Sequence, residues 1–162
     1  MSDNSAAPSI GLLLSGGVDS AVLLGELLQH GGRVVPFYVR TGCVWQTQEL
    51  AAVNRFLSQV ARPNLAPLVQ FEMPLGDLYG EHWSITGKQV PDDHTRDEAV
   101  FLPGRNPLLL IKPALWCLAN RIERLALATL AANPFRDATP EFFARFEAML
   151  AAATGRRMEI VR

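Results

Sequence analysis

The sequence predicts an α/β domain in which a five-stranded parallel sheet carries helices on both faces, and three observations lead there. Short continuous apolar runs alternate with longer segments whose apolar residues recur at helical spacing, the rhythm of strand and crossover helix. The first apolar run breaks into a glycine- and serine-rich turn and then enters an apolar helix, as strand-to-helix junctions of buried parallel sheets do. At 162 residues, with 49% hydrophobic and 19% charged residues, the chain has the length and composition of one domain. That domain is read over 1–162, with 1–9 as a flexible amino terminus.

The elements follow in order. Residues 10–14 suit a central strand, and 21–28 carry a leucine-rich helical pattern that His30-Gly31-Gly32 closes. Residues 34–39 give a second buried strand, interrupted by Pro36. A helix over 46–60 places Leu50, Val53, Phe56, Leu57 and Val60 at helical spacing, and Pro63 and Pro67 end it. A third strand over 68–73, a long apolar helix over 107–119, a fourth strand over 125–130, a helix over 140–153 and a fifth strand over 158–161 complete the set. Only 76–103 departs from this rhythm, with Gly76, Gly80, Gly87, Pro91 and Pro103 as breakers among polar residues that include Asp77, His82, Lys88, Asp92, Asp93, His94 and Asp97. Long loops in compact domains are usually functional or disordered, and the anchors Tyr79, Trp83 and Phe101 favour a partly ordered substrate lid.

The turn after the first strand is the main candidate site. Gly16 and Gly17 let the backbone approach a ligand closely, and the unpaired N–H groups and dipole of the following helix favour an anion. The candidate nucleotide-binding set is therefore Leu14, Ser15, Gly16, Gly17, Val18, Asp19 and Ser20. Ser15 and Ser20 would add hydroxyl donors, and Asp19 would hold magnesium against the phosphates. The plain alternative is a tight turn with Asp19 or Ser20 as helix cap. Neither Gly-x-x-x-x-Gly-Lys-Ser/Thr nor a Gly-x-Gly-x-x-Gly after a strand occurs, which argues against the commoner phosphate-binding loops.

Further candidates flank the later helices. Arg105 offers a rigid fork of donors for a phosphate or carboxylate, and Asn106 can pair with a base edge, or else serve as an N-cap with Pro107 at N1. Asp137 would contact magnesium or substrate at the end of the fourth strand, or else simply be solvated; Thr139 and Pro140 read as N-cap and N1 of the next helix. Trp45 is assigned to the pocket and Trp116 to the core. Cys43 falls in a cleft-facing loop where it could be reactive, Cys117 reads as a buried hydrophobe, and His30, His82 and His94 show no metal-ligand spacing. A formal charge of −1 points away from nucleic acid and towards a small-molecule partner. The polar start lacks a signal-peptide pattern and no apolar run approaches the ~20 residues of a membrane span, so a cytoplasmic location with both cysteines as thiols is expected.

Three segments carry a family resemblance. Ser15-Gly16-Gly17-Val18-Asp19-Ser20 resembles the signature of the PP-loop ATP pyrophosphatase superfamily, whose members split ATP between the α and β phosphates to adenylate a substrate. Leu102-Pro103-Gly104-Arg105-Asn106 is similar to the Pro-Gly-Arg-Asn motif of the 7-cyano-7-deazaguanine synthase family of queuosine biosynthesis, and residues 133–143 resemble that family's segment ending in Asp, Pro-Glu-Phe and a helix. The resemblance implies an adenine nucleotide alpha hydrolase-like sheet of order 3-2-1-4-5, with ATP and Mg2+ used to adenylate 7-carboxy-7-deazaguanine and ammonia converting it to the nitrile. It implies Asp19 and Arg105 as catalytic residues, residues 14–20 around the nucleotide, Arg105, Asn106 and Asp137 around the substrate, and the adenine ring near Trp45 and the Arg40-Thr41-Gly42 turn. Another PP-loop adenylating or tRNA-modifying enzyme, and a non-catalytic ATP-binding module, stay open, as does a homodimer. The family also binds structural zinc through a cysteine cluster near its carboxyl terminus; this sequence runs to Arg162 without one, so no zinc site is expected in these residues.

Overall fold

The apolar run at the amino end forms β1 (Ile10–Leu13), followed by α1 (Val18–Gln29), β2 (Val34–Arg40), α2 (Gln46–Gln59) and β3 (Val69–Glu72). Two single-turn helices, α3 (Gly76–Tyr79) and α4 (Trp83–Thr86), lead to α5 (Arg105–Ala119), β4 (Arg124–Ala126), α6 (Pro140–Thr154) and β5 (Glu159–Val161). The computed structural model of the chain describes residues 8–92, 94–95, 99–129 and 133–162. The expectations placed on residues 1–7, Asp93, Asp97 and Leu130 lie outside the described residues.

All five strands are parallel and stand in the order β3-β2-β1-β4-β5, the order the resemblance implies. The chain builds outward from β1 to β3 and then returns to place β4 on the other side of β1. That reversal makes the carboxyl end of β1 a topological switch point, where a cleft opens between crossovers leaving in opposite directions.

Strand alternation sorts the core into two layers. Ile10, Leu12 and Leu14 of the first strand and its exit, with Val34, Tyr38 and Ala126, meet Leu24, Leu28 and Val53 of α1 and α2. Val35, Phe37 and Leu125 meet Leu110, Ala114 and Cys117 of α5 and Phe143, Phe146 and Leu150 of α6 on the opposite face. The stripe expected on α2 packs as its spacing requires: Val53 is fully buried, with Leu50, Phe56, Leu57 and Val60 around the same cluster. Trp116 packs edge-on against Phe37 at 5.2 Å, the core role expected of it.

Pro36 sits inside β2 without breaking it. Val34 and Arg40 both bond towards the β3 side, so alternation turns Pro36 that way too. There it falls between the Val34–Leu65 bridge and the start of the β3 ladder at Phe37–Val69, where no ladder bond is lost.

Several boundaries differ from expectation. The fourth strand covers Arg124–Ala126 rather than 125–130: it pairs with β1 only at Leu125 and Ala126 and with β5 over Arg124–Ala126. The stretch 76–103 is not uniformly loop: α3 and α4 lie within it. Helix α5 begins at Arg105, with Gly104 as N-cap at φ 77°, so Asn106 is not a cap and Pro107 is not at N1. Thr139 does cap α6, its Oγ1 accepting from the Phe142 N–H at 3.2 Å, with Pro140 at N1. No helix among the described residues is long and apolar enough to cross a membrane.

Gly11 lets α5 lie close on β1. A Cβ there would stand 2.6 Å from Phe37 Cε2, 2.7 Å from Cys117 Sγ and 3.0 Å from Leu125 Cδ1, all in buried residues. Gly11→Ala is therefore expected to cost about 1–3 kcal/mol through overpacking. In a chain of this size each kcal/mol lowers Tm by roughly 2–4 °C. Thermal denaturation of the purified variant measures it, and an unchanged Tm would show that the layer relaxes freely.

Candidate functional site

The turn at the switch point is held open by its own serines. Ser20 Oγ donates to the Gly17 carbonyl at 2.9 Å, and the Ser15 N–H reaches Ser20 Oγ at 3.3 Å. The Gly17 N–H points at Ser15 Oγ at 3.4 Å. Gly17, not Asp19 or Ser20, is the N-cap of α1, which leaves the cap without a side-chain acceptor and the first-turn amides open to an outside anion. Gly16 takes φ +81°, and a Cβ on it would press to 3.0 Å from the Glu49 carbonyl, so the turn fits closely beside the first turn of α2. Ser15, Gly16, Gly17, Val18 and Asp19 are exposed while Ser20 is buried beneath them.

Asp19 lies in the first turn of α1 and makes no hydrogen bond or ion pair with a described residue. No group of three or more His, Cys, Asp or Glu that could hold a metal occurs among the described residues. One carboxylate beside a turn with open amides would be a workable magnesium setting were phosphates bound there, since Mg2+ keeps several waters and takes much of its coordination from substrate phosphates.

Beside the cradle, Leu13, Leu14, Ser15, Tyr38, Val39, Thr41, Glu49, Arg105 and Leu109 line a cavity of about 60 Å³. The structure thus brings Leu14, Ser15 and Arg105 together and adds two residues that sequence reasoning missed, Tyr38 and Glu49. Tyr38 Oη donates to Glu49 Oε2 at 3.0 Å and lies 3.3 Å from the Gln46 carbonyl. Burial raises the Glu49 carboxyl above its ordinary range, opposed by the Tyr38 hydrogen bond and the Arg105 charge. Burial likewise pushes the Tyr38 phenol well up, reinforced by the Glu49 charge. Arg105 Nε is buried and has no hydrogen-bond partner. A signal for Glu49 existed: it extends the stripe of Val53, Phe56, Leu57 and Val60, so a carboxylate stands where the helix faces inward.

Asn106 and Asp137 are joined to each other. The Asn106 backbone N–H donates to Asp137 Oδ2 at 3.1 Å, and Asn106 Nδ2 donates to the Asp137 carbonyl at 2.9 Å. Asp137 is buried, which replaces the loop-solvated alternative, and its carboxylate satisfies an open amide at the positive end of α5. The pair fixes the first turn of α5, the turn that carries Arg105.

One other expectation changes. Cys43 is buried, with Thr41 Oγ1 donating to its sulfur at 3.2 Å, so it does not face the cleft. Trp45, half-buried in the loop after β2, packs against Trp83 of α4 with ring centroids 5.2 Å apart and tilted by 40°. The Val44 N–H donates to the Ser84 carbonyl at 2.9 Å, and Tyr79 Oη donates to the Pro103 carbonyl at 2.9 Å, so α4 is pinned to the loop after β2 and α3 to the residues just before α5. Cys117 is fully buried, and burial alone pushes its thiol up to about 12.

Comparison with known proteins agrees with this architecture. The family model described as queuosine biosynthesis protein QueC matches residues 10–162. A curated relative, 7-cyano-7-deazaguanine synthase 1 of Desulfitobacterium hafniense (strain Y51), is 30% identical over 149 residues, covering 90% of this chain. The match spans 66% of that relative's length, just under two thirds. Among solved structures, the crystal structure of a predicted subunit of tRNA methyltransferase from Methanocaldococcus jannaschii is similar with a TM-score of 0.55 at 14% identity. It covers 95% of this chain and 66% of the other, a likeness of fold alone.

Proposed function

The chain belongs to the QueC family of queuosine biosynthesis proteins, and from that premise we propose that it is an ATP-dependent ligase that adenylates a carboxylate, with 7-carboxy-7-deazaguanine and ammonia as substrates and 7-cyano-7-deazaguanine as product. The observation that carries this reading is the open cradle at the carboxyl end of the central strand, with Ser15 and Arg105 lining one cavity beside it.

The chemistry suits these groups. A carboxylate is a poor electrophile until one of its oxygens becomes part of a leaving group, and transfer of AMP supplies that by releasing pyrophosphate. Charge builds on the departing phosphates, where the amides at the start of α1 and the Ser15 hydroxyl stabilise it, while Ser20, whose Oγ donates to the Gly17 carbonyl, shapes the turn from beneath. Asp19 would hold the magnesium that accompanies ATP, and that ion would supply neutralisation of the same charge. Arg105 takes the phosphate joined to the substrate or the substrate carboxylate itself, and the Asn106–Asp137 pair keeps it in place. Ammonia then displaces AMP to give the amide, and a second activation of the amide oxygen leaves the nitrile.

The test is pyrophosphate release from Mg-ATP and ammonia, with and without 7-carboxy-7-deazaguanine, with the product followed by mass. Release that depends on the deazaguanine, together with loss of oxygen to give the nitrile, is the expected result. ATP binding without release would instead make the chain a nucleotide-binding module.

A further inference from the structure

The cavity shared by Ser15, Tyr38, Thr41, Glu49 and Arg105 measures about 60 Å³ and is open on one side, with room as it stands for a few molecules the size of water. A small polar molecule fits it. Its lining is polar on one side, with a carboxylate that Tyr38 Oη fixes by a 3.0 Å hydrogen bond to Oε2. Across from that carboxylate stands the Arg105 guanidinium, close enough for its charge to act on Glu49, though no ion pair joins the two. The backbone of Glu49 in turn abuts Gly16 of the cradle. A small-molecule chamber with one anchored anion therefore adjoins the place where phosphates would bind.

The ligase reading, on which this inference rests, needs a nucleophile of that size. Ammonia in neutral water is nearly all ammonium, which has no lone pair and cannot attack a carbonyl. We propose that Glu49 is the catalytic residue that docks ammonium beside the cradle and takes its proton. Ammonium donates a hydrogen bond to the Glu49 carboxylate, and one N–H bond breaks as the proton passes to a carboxylate oxygen. The ammonia lone pair then attacks the acyl carbon of the adenylated substrate. The bond from that carbon to the AMP oxygen breaks, its electron pair leaves with AMP, and the surplus proton on the new amide nitrogen goes to solvent.

Burial favours the transfer, because it favours the neutral acid and neutral ammonia over the two charges. The Arg105 charge disfavours a second cation beside it and so weighs against ammonium, while it also loosens the hold of Glu49 on a proton. Tyr38 acts as a positioning residue that holds the accepting carboxylate.

The experiment compares two nucleophiles in the full chain and in Glu49→Gln, a nearly isosteric change that still accepts from Tyr38. Hydroxylamine is largely unprotonated at neutral pH and needs no proton acceptor before attack. Glu49→Gln is expected to slow amide formation from ammonium salts by about a hundredfold or more while hydroxamate formation stays within a few-fold of the unmodified chain. Tyr38→Phe should show the same selectivity with a smaller loss. Equal loss with both nucleophiles would reduce Glu49 to a structural role, and no loss with either would remove it from the reaction; each overturns the inference. Absence of hydroxamate from the unmodified chain overturns the ligase reading itself, a result separate from either.

Discussion

Asp19→Ala is expected to abolish turnover while Tm stays within a few degrees of the unmodified chain. The carboxylate is exposed and makes no hydrogen bond or ion pair with a described residue, so its removal leaves no partner unsatisfied inside the protein. Folding loses only the small favourable interaction of an acidic group with the first turn of α1. Function loses much more. Under the proposed function, a carboxylate at the mouth of the turn would repel the phosphates of ATP unless a cation stood between them. Asp19 would then act through magnesium, and the variant should fail to release pyrophosphate at any accessible Mg2+ concentration. Asp19→Asn should behave alike, because it keeps the shape and a weak oxygen ligand but not the charge. A wild-type rate in either variant would overturn the assignment and return Asp19 to a plain first-turn residue.

The cradle was legible because local chemistry writes it: glycine for a positive φ, serines for donors, and an apolar strand and helix on either side. The two-layer core followed from the same kind of reasoning, since alternation along β1 and β2 and the stripe on α2 each specify a face. What escaped depended on contacts between distant segments. Tyr38 and Glu49 are 11 residues apart and meet only because α2 packs back across β2. Asn106 and Asp137 meet across 31 residues, and there a sound local rule gave a wrong element boundary. Asn followed by Pro reads as a cap and N1, but Gly104 in the left-handed region starts the helix two residues earlier and leaves the Asn106 amide to be satisfied from afar by Asp137. Cys43 was misplaced for a similar reason: a loop after a strand faces a cleft in general, while the Thr41 contact turns this thiol inward.

Arg105→Ala is expected to lower kcat/KM by about 10²–10³, the usual loss when one preorganised donor to developing charge is removed. The fold should tolerate the change. Arg105 places a cation at the positive end of α5, which the helix dipole disfavours, and its buried Nε has no partner. Both features are unfavourable in the free protein and become favourable when an oxyanion enters, the mark of a group kept for ligand rather than for stability. Arg105→Lys should recover only part of the loss, since an ammonium keeps the charge without the fork. The variant also makes a pH prediction. Around Glu49, the Tyr38 hydrogen bond from β2 and the Arg105 charge from α5 both favour the carboxylate, while burial opposes it more strongly. Removing Arg105 leaves burial less opposed, so the acid form of Glu49 persists to higher pH. The acid limb of the pH–rate profile should then move towards alkaline pH in Arg105→Ala. Because the folded chain already holds this proton more tightly than the unfolded chain, the Glu49 contribution to stability falls as pH rises from its ordinary value to its raised one. In the variant that decline should extend to higher pH. Full activity in Arg105→Lys, or an acid limb unmoved in Arg105→Ala, would separate Arg105 from Glu49 and from the reacting phosphate.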